Sequence, residues 1–278
     1  MELPTSCFVF PYIAMVIYII VHFVIFFLII KFVKNVQKLT FVWGMINWTV
    51  AIGLLYFVPI QFININEDTE DTGLKILRSI ICGIIPPITE DVGRFLVFTF
   101  IYKSKDHDFN NSIIFGAGHG GWESIVLTAM TQIGNLMDFY NIENPKPDDD
   151  KEKLMKTYEK YKDGIRIDDI VVLIIRLFGN IFHMCASVIA YKLSLNRKET
   201  KYVIYFIILF IFHFIIDTVG QMQNLFKFSI WVNLCFPGLV IIISILSYFT
   251  WKENQNKDSA YNNFDNQNDL LVLQDNNE

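Results

Sequence analysis

Residues 116–124 read GAGHGGWES and set His119 and Glu123 four positions apart among glycines, inside an otherwise apolar run. EDVGR (90–94) pairs Glu90 with Arg94, and HFIID (213–217) pairs His213 with Asp217. Residues four apart share one face of an α-helix, so each pair acts from one side. RLFGNIFHMCAS (176–187) adds Arg176, Asn180, His183 and Ser187 at i, i+4, i+7 and i+11, a continuous polar stripe. Neutral imidazoles and carboxylates are the ordinary ligands of zinc. A bound metal lowers the pKa of its water towards 7, and a nearby carboxylate takes the proton and hands it to a leaving amine. A metal-free route uses the same groups, with Glu90 activating water and histidines stabilising the oxyanion.

The elements that must position these residues are membrane helices. The chain of 278 residues is 53% hydrophobic with 26 Phe, outside the range of soluble domains. Apolar runs of the length needed to span a bilayer fall at 9–30, 41–63, 74–101, 111–136, 168–192, 201–220 and 228–251. The expected architecture is all-α, a polytopic bundle of seven transmembrane helices over 1–253 with its core at 74–220. A disordered, acidic, Asn-rich tail follows over 254–278.

Glu90, Asp91, Arg94, His119, Glu123, Arg176, His183, His213 and Asp217 all fall within these runs. Each charge facing lipid costs roughly 2.5–3.5 kcal/mol, so they must face inward. Counted from the cytosolic helix ends at about 1.5 Å per residue, Glu90 lies about 17 Å deep, His119 about 12 Å, His183 about 13 Å and His213 about 18 Å. Helices in alternating directions therefore bring them to one level. Glycines 116, 118, 120 and 121 allow close helix approach, and Pro86 with Pro87 should distort the third helix and admit water.

The surrounding residues carry supporting roles. Arg94 is expected to balance Glu90 or Glu123, and Arg176 plays a similar structural part. Asp91 faces a neighbouring helix, while Asn180 and Ser187 pack against the site. Lys31, Lys34, Lys38, Lys103, Lys105, Lys192, Arg197, Lys198, Lys201 and Lys252 mark cytosolic connections, which places the N-terminus outside or luminal and the tail in the cytosol. The connection over 137–167 also holds lysines. Within it Leu154, Tyr158, Tyr161 and Ile165 recur at helical spacing, which reads either as an amphipathic helix on the membrane or as a charged, solvated loop. Cys7, Cys82, Cys185 and Cys235 are isolated packing residues. Asn47 and Asn110 head glycosylation triplets too close to the membrane to serve. The net charge of −5 comes largely from loops and tail and gives no reason to expect a nucleic-acid partner.

The four motifs, in this order across seven spans, resemble the YhfC family of intramembrane metalloproteases, which is grouped with the CAAX-processing endoproteases, the PrsW proteases and the Aph subunit of gamma-secretase. The resemblance covers the third to sixth spans, and GHGGWE together with HxxxD carries most of its specificity. It implies catalytic roles for Glu90, His119, His183 and His213. The related endoproteases often have Glu-Glu where this chain has Glu90-Asp91, and Asn where it has Asp217. Glu-Arg is common in the family where this chain has Ile175-Arg176.

The expectation is thus a membrane peptidase that hydrolyses a peptide bond within or beside the bilayer. Glu90 is its base, Glu123 and Arg94 complete the catalytic set, and His119, His183, His213 and Asp217 hold Zn2+. Its substrate is a membrane protein or lipid-embedded peptide, its surroundings are membrane lipids, and partner subunits are open. Two rivals use the same residues: an Aph-like scaffold whose buried network fixes helix packing, and a proton- or ion-coupled transporter. The lack of paired half-helices lowers the transporter reading.

Overall fold

The computed structural model describes residues 2–32, 37–56, 71–102, 109–146, 150–165, 167–226 and 236–253. Each of the seven apolar runs is helical where it is described. The helices are α1 (Thr5–Phe32), α2 (Lys38–Val50, continued by a π-wound turn over Ala51–Tyr56), α3 (Thr72–Leu96, continued likewise over Val97–Ile101) and α4 (Phe109–Glu143). They are followed by α5 (Lys151–Tyr161), α6 (Ile167–Leu195), α7 (Thr200–Phe226) and α8 (236–253). No strand occurs among the described residues. The parts of the predicted spans at 57–63 and 228–235, and the tail from 254, lie outside them.

Among the described residues, α1, α6 over Asp169–Leu195 and α7 over Thr200–Met222 are long and apolar enough to cross a membrane on their own. Tyr12, Ile13, Val16, Ile17, Ile20, Phe23 and Phe27 of α1 are all more than half exposed. An apolar face of this extent needs a hydrocarbon surrounding. The chain is an integral membrane protein.

α4 is the central helix. It packs against α1, α2 and α6, while α3 packs mainly against α7 and also against α6. At 35 residues α4 is about 52 Å long, and α5 packs at its far end. Asp150 caps α5 by accepting from the amides of Glu152 and Lys153, both at 3.0 Å, and Gly164, at φ +98°, turns the chain back towards α6. The helix expected from Leu154, Tyr158, Tyr161 and Ile165 is present. Its face is not left for the membrane, because Leu154 and Tyr161 are buried against Leu3, Cys7, Phe139 and Ile142. A protein surface at the end of α4 offers this stripe better packing than the headgroup region.

α3 begins at an Asp71 cap that accepts from the Gly73 and Leu74 amides at 2.7 and 3.2 Å. The helix runs through Pro86 and Pro87 without a break, although the prolines supply no donors for the carbonyls of Cys82 and Gly83. The wider π winding occurs later, at Val97–Ile101, on the other side of Arg94.

Candidate active site

The glycine motif explains how several helices reach one point. A Cβ at Gly116 would overlap the main chain at His183–Met184, and one at Gly120 would stand 2.9 Å from His183 Cδ2 and 3.0 Å from Asn180 Cα. Both positions therefore receive α6. A Cβ at Gly118 would overlap the main chain of Phe41 in α2, and one at Gly121 would stand 3.1 Å from His22 Cδ2 in α1. Gly44 answers from α2, where a Cβ would be 2.8 Å from the His119 amide nitrogen. At Gly44, Gly116 and Gly118 the clash is with backbone, so no larger residue fits there without a main-chain shift.

Around this crossing the ionisable groups converge. His119 Nε2 is 2.9 Å from Glu90 Oε2, and His183 Nε2 is 2.7 Å from Glu123 Oε2. His213 Nε2 lies 3.4 Å from Asp217 Oδ2 and 3.8 Å from Glu90 Oε2. The three rings are mutually close, with centroids 4.7 Å apart for His119–His183 and 5.8 Å for His183–His213. Ligand atoms from Glu90, His119, Glu123 and His183 all lie within 4.8 Å of one another.

The second nitrogen of each ring is held from outside this group. Asn47 Nδ2 is 3.2 Å from His119 Nδ1, Arg94 Nη2 is 2.5 Å from His183 Nδ1, and Asp91 Oδ2 is 3.0 Å from His213 Nδ1. Such outer contacts fix ring orientation and tautomer. Asp91 accepts the Nδ1 hydrogen of His213, whose Nε2 faces the carboxylates of Asp217 and Glu90. Arg94 is always a donor, so its bond to His183 puts the ring hydrogen of the neutral form on Nε2, directed at Glu123.

Arg94 is wholly buried and also donates to Asp91 and, at 3.3 Å, to Glu90 Oε2. Of its two expected partners it therefore takes Glu90. Arg176 takes Glu123, at 3.7 Å. Asp91, expected to face a neighbouring helix, meets α7 through His213 and joins the network. Ser187 donates to the carbonyl of His183 at 2.9 Å, and Asn180 is buried beside Gly120.

Two residues of this region went unread. Asn47, considered only as the head of a glycosylation triplet, holds His119 and lies 3.5 Å from the Glu90 carbonyl. His22 of α1 is 4% exposed, with Nδ1 2.7 Å from the Tyr18 carbonyl oxygen and Nε2 unpartnered. Neither has a charged or imidazole-bearing residue four positions away, so neither forms a stripe of the kind that marks the other helices.

All nine ionisable residues singled out in the apolar runs thus belong to one network between α3, α4, α6 and α7. The four residues that approach as a metal-binding group are Glu90, His119, Glu123 and His183. His213 Nε2 approaches the same Glu90 oxygen as His119, at 3.8 Å, with Asp217 Oδ2 3.4 Å from that nitrogen.

An integral membrane helical bundle with histidines and carboxylates gathered at its interior is the class that fold and cluster define. The family described as YhfC intramembrane metalloprotease matches residues 15–235, and the chain belongs to it. It is also similar to the Uncharacterized membrane protein YhfC of Bacillus subtilis (strain 168), with 32% identity over 81 residues. That alignment covers 29% of this chain and 31% of the relative, under a third of the relative's length. No solved structure matches.

Proposed function

We propose that the chain is a metal-dependent peptidase that crosses the membrane seven times and hydrolyses a peptide bond of a membrane protein or membrane-embedded peptide. The family supports this, and one observation carries it: ligand-bearing atoms of two carboxylates and two imidazoles come within 4.8 Å of one another in the protein interior. Two further features fit a divalent cation such as Zn2+. The donor types are those zinc takes. In addition, Glu90, Asp91, Glu123 and Asp217 are set against two guanidinium groups, Arg94 and Arg176, and three imidazoles; with the imidazoles neutral and the carboxylates ionised, one such cation would offset the negative charge that is left.

Glu123 would hold the metal together with His119 and His183, and Glu90 borders it. Each ring would first move its hydrogen from Nε2 to Nδ1, which exchanges the donor contacts of Asn47 and Arg94 at Nδ1 for the ligand bond at Nε2. When bound, the metal would make water more acidic and polarise the scissile carbonyl. Glu90 accepts the proton of the attacking water as its oxygen bonds to the carbonyl carbon. The carbon–nitrogen bond then breaks as that proton passes to the leaving amine. Arg94 positions Glu90, Asp91 and His183. His213, fixed on Asp91, offers Nε2 between Glu90 and Asp217 as a second proton carrier, a role other than the ligation first expected of His213 and Asp217.

Metal analysis of the purified protein beside a His119→Ala/His183→Ala double variant tests this reading. Stoichiometric zinc in the wild type, lost in a variant that still migrates as a folded protein, is expected. No metal in either would remove the metal-dependent mechanism.

A further inference from the structure

Exposure of the ionisable side chains changes systematically along the bundle. Arg94, Asp91 and His119 are fully enclosed and Glu90 is 3% exposed, whereas Glu123 is 18% exposed, Asp217 28% and Arg176 35%. The more open residue always lies to the same side of its histidine. Glu123 follows His119 on α4, which runs towards the connection 144–166. Arg176 precedes His183 on α6, which starts from that connection. Asp217 follows His213 on α7, which runs towards the same end.

The opposite side is closed by aromatic packing. Phe98, Phe115 and Tyr191 are at most 1% exposed, with ring centroids 4.9 Å apart for Phe98–Phe115 and 5.5 Å for Phe98–Tyr191. Beyond Glu123 on that side α4 keeps buried polar groups, Ser124, Thr128 and Gln132, and Ser124 Oγ donates to the Arg176 carbonyl at 3.3 Å.

We infer that the cluster is entered from the membrane face that bears residues 144–166, through a mouth formed by Glu123, Arg176 and Asp217. Two carboxylates and a guanidinium suit the amides and carbonyls of an extended polypeptide better than an acyl chain. The substrate is therefore a protein whose unfolded segment meets the membrane on that face. In the orientation expected from the lysines at 31–38, 103–105 and 192–201, this is the extracytosolic face. The choice of substrate rests on the peptidase reading; the entrance does not.

Single cysteines placed in a chain lacking its four native ones test the entrance in sealed vesicles of both orientations, using a charged, membrane-impermeant thiol reagent. Lys151→Cys marks the 144–166 face and Lys198→Cys the other. Arg176→Cys and Gly220→Cys probe the mouth, and Tyr191→Cys probes the aromatic floor. A Cβ at Gly220 meets nothing within 4 Å, so that variant tests the mouth even if replacing Arg176 unfolds the protein. Gly220→Cys, and Arg176→Cys where folded, should be modified only from the side that modifies Lys151→Cys, and Tyr191→Cys from neither. Modification of Gly220→Cys from the Lys198→Cys side, or from neither side, would overturn the entrance. Modification as expected in a protein that cleaves no peptide would sustain the entrance and count only against the peptidase.

Discussion

Asp91 Oδ2 on α3 stands 3.0 Å from Nδ1 of His213 on α7, 122 positions along the chain, while the other carboxylate oxygen accepts from Arg94. One fully buried carboxylate thus links two helices and balances a buried guanidinium. Asp91→Ala should destabilise the protein by about 3–5 kcal/mol, because it takes one of two carboxylate partners from a buried cation and the anchor from His213. Thermal unfolding in detergent, read beside the wild type, checks this; an unchanged midpoint would show that the pair contributes nothing.

Glu90→Gln keeps the shape of the side chain and removes its capacity to take a proton. The variant should accumulate normally, migrate as wild type and lose cleavage of the substrate by about 10²–10⁴-fold. Substantial cleavage by the folded variant would transfer the base role to Glu123.

Asn47→Ala removes the group that holds His119 Nδ1 without touching any proposed ligand. Loss of such an outer contact typically weakens metal affinity about 10–100-fold. Competition with a chelator should therefore strip zinc from this variant at correspondingly lower chelator concentration, with the helical content unchanged. Equal retention would leave Asn47 a packing residue.

The glycines of α4 should divide by what they face. Gly118→Ala, forced against the main chain of Phe41, should cost about 1–3 kcal/mol. Gly134→Ala, on the same helix with nothing within 4 Å of its Cβ, should be neutral or stabilise by roughly 0.5–1 kcal/mol. Unfolding midpoints of the two variants in one detergent make the comparison, and equal losses would defeat it.

Orientation has its own measurement. With the basic connections in the cytosol, a tag following residue 278 should be digested only by protease admitted to the cytosolic side. Digestion from the outer side of intact cells would invert the topology, including the assignment of the entrance face to the exterior.

The sequence disclosed this site where helical geometry repeats a signal. His119/Glu123, Glu90/Arg94 and His213/Asp217 are i,i+4 pairs on helices that run in alternating directions, and similar depths in the span predicted that they would meet. What the pattern leaves open is rotation about each helix axis. Asp91, one residue from Glu90, turns towards α7 and enters the network, which spacing along α3 alone does not reveal. Arg94 lies four residues from Glu90 but also reaches His183, 89 residues later, and only packing of α3 on α6 selects that contact. Asn47 and His22 carry no periodic signal, since each acts alone on its helix. The amphipathic stripe of α5 announced a helix and not its partner, because a membrane surface and the buried end of α4 make the same demand on the sequence.

The division of labour among the helices also bears on how the protein is made. α1, α6 and α7 are apolar enough to partition into the bilayer singly, whereas α3 and α4, which hold Glu90, Asp91, Arg94, His119 and Glu123, do not meet that standard. Each of those charges finds its counterpart on another helix or on a turn of its own. In the seven-span reading proposed above, α3 and α4 therefore gain their place in hydrocarbon only by assembly with α6 and α7, which follow them in the chain. The chemistry of the cluster then implies an order of biogenesis: the polar helices are translated early and settle late.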